Sequence, residues 1–125
     1  MEVDRTIKIV SPGKLQGFAN TLIMTGNIRC KPNALTWKKV PPLTRAFEDF
    51  TLAESRTEIG KITKLEYRDG ELWCEADVAM CHVPAYPVAF GVAFFLSRYR
   101  YDKRNVLIVA SGELVEVAII PFDEK

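Results

Sequence analysis

The sequence predicts a mostly β protein: a small closed or nearly closed antiparallel β-barrel of about seven strands, with one packed helix over residues 43–55. Three observations carry this expectation. The stretch from Ile59 to Val78 alternates apolar and polar residues on both sides of Asp69-Gly70, the pattern of a β-hairpin. Residues 88–122 supply further runs rich in β-branched and aromatic side chains. Only the segment after Pro41-Pro42 repeats apolar residues at three- and four-residue spacing. Closing the sheet removes sticky edges, so a barrel is the economical arrangement for so many short strands.

The elements follow in order. Arg5 to Val10 alternates as a half-buried strand should and is broken by Ser11-Pro12-Gly13. Gly17 to Cys30 holds Thr21-Leu22-Ile23-Met24-Thr25 and a Gly26-Asn27 turn signal, room for one or two more strands. Residues 31–42, with Pro32, Pro41 and Pro42, read as an exposed connection without a core element. Leu43, Ala46, Phe47, Phe50 and Ala53 then form a helical stripe, with Arg45, Glu48, Asp49 and Glu54 on other faces; Phe47 and Phe50 are expected to be its packing residues. In the second arm of the hairpin, Leu72, Cys74, Ala76 and Val78 share the core face. Val88 to Tyr101 is apolar for nine residues and amphipathic afterwards, a buried strand emerging into solvent. Asp102 to Asn105 turns the chain. Val106–Ala110 and Glu113–Phe122 read as two strands joined through Ser111-Gly112, with Val115, Val117 and Ile119 facing the core alongside Leu65.

The totals restrict function. A chain of 125 residues, 48% apolar, fits a single domain with one core. Its 17 Lys and Arg against 16 Asp and Glu leave a formal charge of +1, so no global field directs it to nucleic acid or to an anionic membrane. The first apolar run, Ile7 to Val10, is shorter than a signal-peptide core, and none approaches the roughly 20 residues of a membrane span. A soluble, unexported protein is expected. Cys30, Cys74 and Cys81 contain no CxxC pair, which argues against a disulfide framework. Their spacing with His82 matches no common zinc site, and buried free cysteine is the simpler reading, so neither metal nor cofactor is expected. A P-loop, a Gly-rich dinucleotide turn and HExxH are all absent from the sequence.

Taken in order, Glu58-Ile59-Gly60-Lys61-Ile62-Thr63-Lys64-Leu65, Asp69-Gly70-Glu71-Leu72-Trp73 and Glu113-Leu114-Val115-Glu116-Val117-Ala118-Ile119-Ile120-Pro121 resemble the prohead (head maturation) protease family of tailed bacteriophages. That family is similar in fold to herpesvirus assemblin, a small β-barrel with helices. The resemblance covers residues 43–122 and leaves 1–42 as N-terminal strands and a Pro-rich connection. It implies a serine nucleophile on the strand at 88–94 and a histidine before Ile59-Gly60. This chain departs at both places: Ala89 or Gly91 stands at the nucleophile position, and residues 47–56 contain no histidine. Serine chemistry needs a hydroxyl, a base in reach and oxyanion donors. Cys81 and His82 are adjacent, which on a strand sends them to opposite faces, and Ser55, Ser97 and Ser111 lack a neighbouring base.

The resemblance therefore implies a non-enzymatic, prohead-protease-like phage structural protein. Its expected role is that of an auxiliary capsid (cement or decoration) protein that binds the major capsid protein or other head proteins, in the virion and in the host cytoplasm during assembly. An active protease with a displaced site and a β-barrel adaptor unrelated to capsids are the alternatives, and self-association is a further option. Trp37 beside Lys38 and Lys39 is a candidate partner contact, an aromatic next to charge, although a Trp there could equally cover the barrel's end. Arg98 and Arg100, interleaved with Tyr99 and Tyr101, are the second candidate; alternation puts arginines on one face and tyrosines on the other, and an acidic protein patch suits them as well as phosphate.

Overall fold

The computed structural model describes residues 4–20, 22–23, 28–45, 58–83 and 87–121. Among these residues ten strands run in chain order: β1 (Lys8–Ser11), β2 (Lys14–Asn20), β3 (Leu22–Ile23), β4 (Ile28–Cys30), β5 (Leu35–Thr36), β6 (Leu43–Arg45), β7 (Gly60–Arg68), β8 (Glu71–Val78), β9 (Val88–Tyr101) and β10 (Leu107–Pro121). Six of them close a ring, β2-β8-β7-β6-β10-β9 and back to β2, so the expected mostly β barrel is what the chain forms. The ring is not wholly antiparallel: β6 runs parallel to β10, and β2 runs parallel to β9 through Ala19 opposite Phe90 and Asn20 opposite Gly91.

The β7–β8 hairpin forms as its alternation requires. Asp69 and Gly70 take φ of 52° and 83° at the turn, the left-handed pair that matches the twist of the flanking strands. Leu72, Cys74, Ala76 and Val78 are buried, whereas Trp73 and Glu75 are half-buried and Asp77 is exposed. On the outer face Trp73 meets Phe18 edge-on at 4.9 Å and lies 4.1 Å below the Arg68 guanidinium, which also pairs with Glu66 at 2.9 Å.

β10 is the spine of the molecule. Along one side it pairs with β9 over its whole length, and along the other it takes β4, β5 and β6 in succession, all parallel. Irregularities between Val109 and Gly112, and between Leu114 and Glu116, bend it so that one fifteen-residue strand serves all these partners. Ser111-Gly112 thus lies inside one strand, between the extra residue Ala110 on β10 and the extra residue Ser97 facing it on β9, and is not a join between two. A Cβ at Gly112 would lie 2.7 Å from the Phe95 carbonyl oxygen, so the strands approach there in a way only glycine allows. The second bulge leaves Val115 half-buried and turns Leu114 into the core beside Val117 and Ile119; the strict alternation that placed Val115 inside is broken at that point. Leu65 is half-buried and packs on the core.

Three further expectations are corrected. Leu43–Arg45 is strand and not the start of a helix: Leu43 is fully buried, Val117 N donates to Pro42 O at 3.1 Å, and Ile59 N donates to Leu43 O at 2.9 Å. Long-range ladder bonds outweigh the local helical spacing there. Residues 46–55, with Phe47 and Phe50, lie outside the described residues, and the described residues contain no α-helix. The connection 31–42 does carry core: Ala34 and Leu35 are buried, and Trp37 packs against the same cluster. The amino-terminal segment is not outside the frame either. β2 is a barrel wall that buries Leu15 and Ala19, Ile7 is in the core, and Ile7 N donates to Val88 O at 2.8 Å. β1 itself is exposed throughout, as an edge strand beyond β2.

Candidate interaction surface

Trp37 is half-buried and packs against the core cluster. Its ring stands 5.9 Å from Tyr67, and the Tyr67 hydroxyl donates to Leu35 O at 2.6 Å while accepting from Leu35 N at 2.8 Å. Burial raises the Tyr67 phenol above its ordinary range, only partly offset by the Leu35 amide, so the hydroxyl stays protonated and keeps both bonds at neutral pH. Lys38 and Lys39 follow in an exposed bend. The indole is thus partly covered by the core, and the two lysines that follow it are exposed.

Arg98 and Arg100 lie on a different feature. β9 is buried from Val88 to Gly91, half-buried to Phe94, and exposed at every residue from Phe95 to Tyr101. Pairing with β2 ends at Gly91, so among the described residues Val92–Tyr101 is hydrogen-bonded only to β10. The extra residue Ser97 shifts the alternation, so Phe95 shares one face of this ribbon with Arg98 and Arg100, and Leu96 shares the other with Tyr99 and Tyr101; Phe95, Tyr99 and Tyr101 are 66%, 54% and 63% exposed respectively. The two tyrosine rings meet edge-on at 6.4 Å, opposite buried Leu107 and Val109. At the tip, Asp102 accepts from the backbone N–H groups of Arg104 at 2.7 Å and Val106 at 3.0 Å; these bonds hold its carboxyl below the ordinary carboxylate range and use its charge locally.

Register relates the two candidates. Thr36 stands opposite Glu113, and Glu113 opposite Phe95, so the Trp37–Lys39 bend leaves the sheet two strands from where β9 becomes exposed, about 10 Å by ordinary strand spacing. The sequence showed the alternation of Arg98 to Tyr101. What it did not show was that Phe95, Leu96 and both tyrosines are exposed together, because composition cannot tell a covered strand from an uncovered one.

The barrel wall offers less. Arg5 pairs with Glu71 at 2.9 Å and donates to Ala19 O at 2.6 Å, tying the amino-terminal segment to β2 and β8. Lys14 pairs with Asp77 at 3.1 Å beside a shallow, open depression. Ala89 and Gly91 are buried, and a Cβ at Gly91 would already touch the Ile120 side chain at 3.0 Å. Sequence reasoning overlooked Thr44, a buried hydroxyl on β6 that donates to the Glu116 carboxylate. Buried in a strand, it is closed to an incoming carbonyl. His82 is half-buried in a single 3-10 turn, Met80–His82, beside exposed Cys81. Burial pushes the Cys30 thiol up to about 11 and the Cys74 thiol up to about 12, so both act as small apolar side chains and not as thiolates. Among the described residues no group of three His, Cys, Asp or Glu could hold a metal ion.

Comparison with protein-family models, with curated proteins and with solved structures gave no match to this chain.

Proposed function

We propose that this chain is a non-enzymatic, protein-binding barrel, and specifically an auxiliary capsid protein of a tailed bacteriophage that docks on the major capsid protein or another head protein. The single observation that carries the binding role is the β9–β10 ribbon, which exposes Phe95, Leu96, Tyr99 and Tyr101 together beside Arg98 and Arg100. Aromatic side chains with arginine are the composition of interface anchors. The capsid setting comes from the ordered resemblance of residues 43–122 to prohead proteases. Fold analogy of this kind supplies a setting and not a mechanism. The absence of a nucleophile at Ala89 and Gly91 favours a structural over a catalytic role in that setting.

The test is co-sedimentation with purified phage heads, with copy number read by quantitative gel densitometry. Stoichiometric binding is expected, and an R98E/R100E double variant, whose melting temperature should be unchanged, should lose at least tenfold in affinity. Failure to sediment with heads overturns the capsid reading.

A further inference from the structure

The free side of β9 presents more than side chains. Over Val92–Tyr101 the strand has hydrogen-bonding partners on its β10 side only, among the described residues. In an antiparallel pairing every second residue turns its N–H and C=O outward, so about half of these ten residues offer backbone groups to a further strand. Proteins ordinarily shorten, bulge or cover such an edge. Here one extra residue, Ser97, interrupts the edge of β9 between Leu96 and Arg98, and the other two irregularities, at Ala110 and Val115, fall on β10.

Charge selects the occupant. Residues 98–104 hold Arg98, Arg100, Lys103 and Arg104 against Asp102 alone. Among the described residues none of these four cations has an ion pair, whereas Arg5, Lys14, Lys64 and Arg68 on the barrel wall all do. A second copy laid antiparallel over Val92–Tyr101 would set Arg98 opposite Phe95 and Arg100 opposite Ala93, which leaves the basic residues without acidic partners and gives self-pairing no charge complementarity. A nucleic acid would satisfy the charge but could not use the amide ladder. An extended segment carrying carboxylates satisfies both.

We propose that the free edge of β9 is a docking site for an acidic, extended peptide segment of a partner protein. The segment adds as a strand beside Val92–Tyr101, with its carboxylates against Arg98 and Arg100 and its apolar residues against Leu96 and Tyr99. The proposal rests on the protein-binding reading above and names the chemistry and geometry of the contact.

The test uses the full chain and a fluorescent ten-residue peptide of five Glu-Val repeats. Two controls are the Lys-Val counterpart and the Glu-Val peptide N-methylated at alternate residues in both phases. The Glu-Val peptide should bind, and the outward amides among Val92–Tyr101 should exchange fast in the free protein and slow down on binding. N-methylation and R98E/R100E should each weaken binding at least tenfold, and the Lys-Val peptide should not bind. The proposal is overturned by no binding, by N-methylated peptides binding equally well, by amides already protected in the free chain, or by a 20-mer oligothymidylate binding more tightly. Peptide binding without head binding would refute the capsid reading alone; head binding without peptide binding would refute this proposal alone.

Discussion

Replacing Tyr67 by phenylalanine isolates one oxygen atom that holds the end of the barrel together. The ring and its contact with Trp37 stay, while the hydroxyl that bridges Leu35 N and Leu35 O is lost. Leu35 is fully buried, and its amide faces away from β10, where Ala34 O already accepts from Gly112 N at 3.0 Å. Each hydrogen bond is worth about 1 kcal/mol net, and each buried group left unpaired costs roughly 1–3 kcal/mol. A cavity lined by Cys30, Pro32, Leu35, Tyr67 and Leu72 adjoins the site and has room for a water, which holds the cost at the lower end. We expect Tyr67→Phe to lose about 2 kcal/mol, or about 8 °C in melting temperature for a chain of this size. Tyr99→Phe, the same change on an exposed ribbon, should stay within about 0.5 kcal/mol of the parent. Urea denaturation followed by circular dichroism measures both. If the two variants lose the same amount, or if Tyr67→Phe is neutral, the hydroxyl bridge does not hold β5 to β7.

Gly60→Ala should cost about 3 kcal/mol, because its Cβ would lie 2.2 Å from the Asp77 carbonyl oxygen, while Gly17→Ala, with nothing nearer than 3.4 Å, should cost under about 1 kcal/mol; equal losses would disprove the close approach of β7 to β8. At pH 8 a thiol reagent should modify exposed Cys81 rapidly and reach Cys30 and Cys74 only on unfolding; rapid labelling of three thiols in the native protein would contradict the burial. Those two thiols ionise near 9.0 when unfolded but only at about 11 and about 12 when folded, so above pH 9 the unfolded chain binds fewer protons. Stability should then fall as pH rises from 9 toward 11. The fall should be smaller in Cys74→Ala, and an identical pH dependence in the two proteins would refute the linkage.

The hairpin, the emergence of β9 into solvent and the turn at Asp102 to Asn105 were legible because each is local. Period-two alternation, a left-handed Asp-Gly pair and the onset of charge in a strand are all written within a few residues. What was not legible depends on partners distant in the chain. β5 and β6 are two and three residues long and exist because β10 offers a parallel ladder to each. Nothing within 31–45 says so, and the spacing of Leu43, Ala46 and Phe47 points to helix instead. The resemblance leaves residues 1–42 outside its frame, but β2 supplies the parallel pairing to β9 that closes the ring. Val115 and Leu114 exchanged places because a bulge shifts register by one residue, which turns every following side chain over.

The same distinction governs the interaction surface. Arg98, Tyr99, Arg100 and Tyr101 were visible as an alternating basic and aromatic strand, and a strand of that composition at a covered sheet position would have been a solvated strand end of no consequence. Whether its edge is free depends on where β2 stops, and β2 stops pairing at Asn20 opposite Gly91, more than seventy residues earlier in the chain than Gly91 itself. The parallel crossing of β2 and β9 makes this unavoidable: two strands that meet at only two residues diverge, and one of them must leave the ring. β9 leaves it with ten residues still to run, paired among the described residues by β10 on one side alone. Ring closure and the free edge thus have one cause, the short contact between β2 and β9. A substitution that lengthened that contact should cover the outer edge of β9 and stabilise the barrel together.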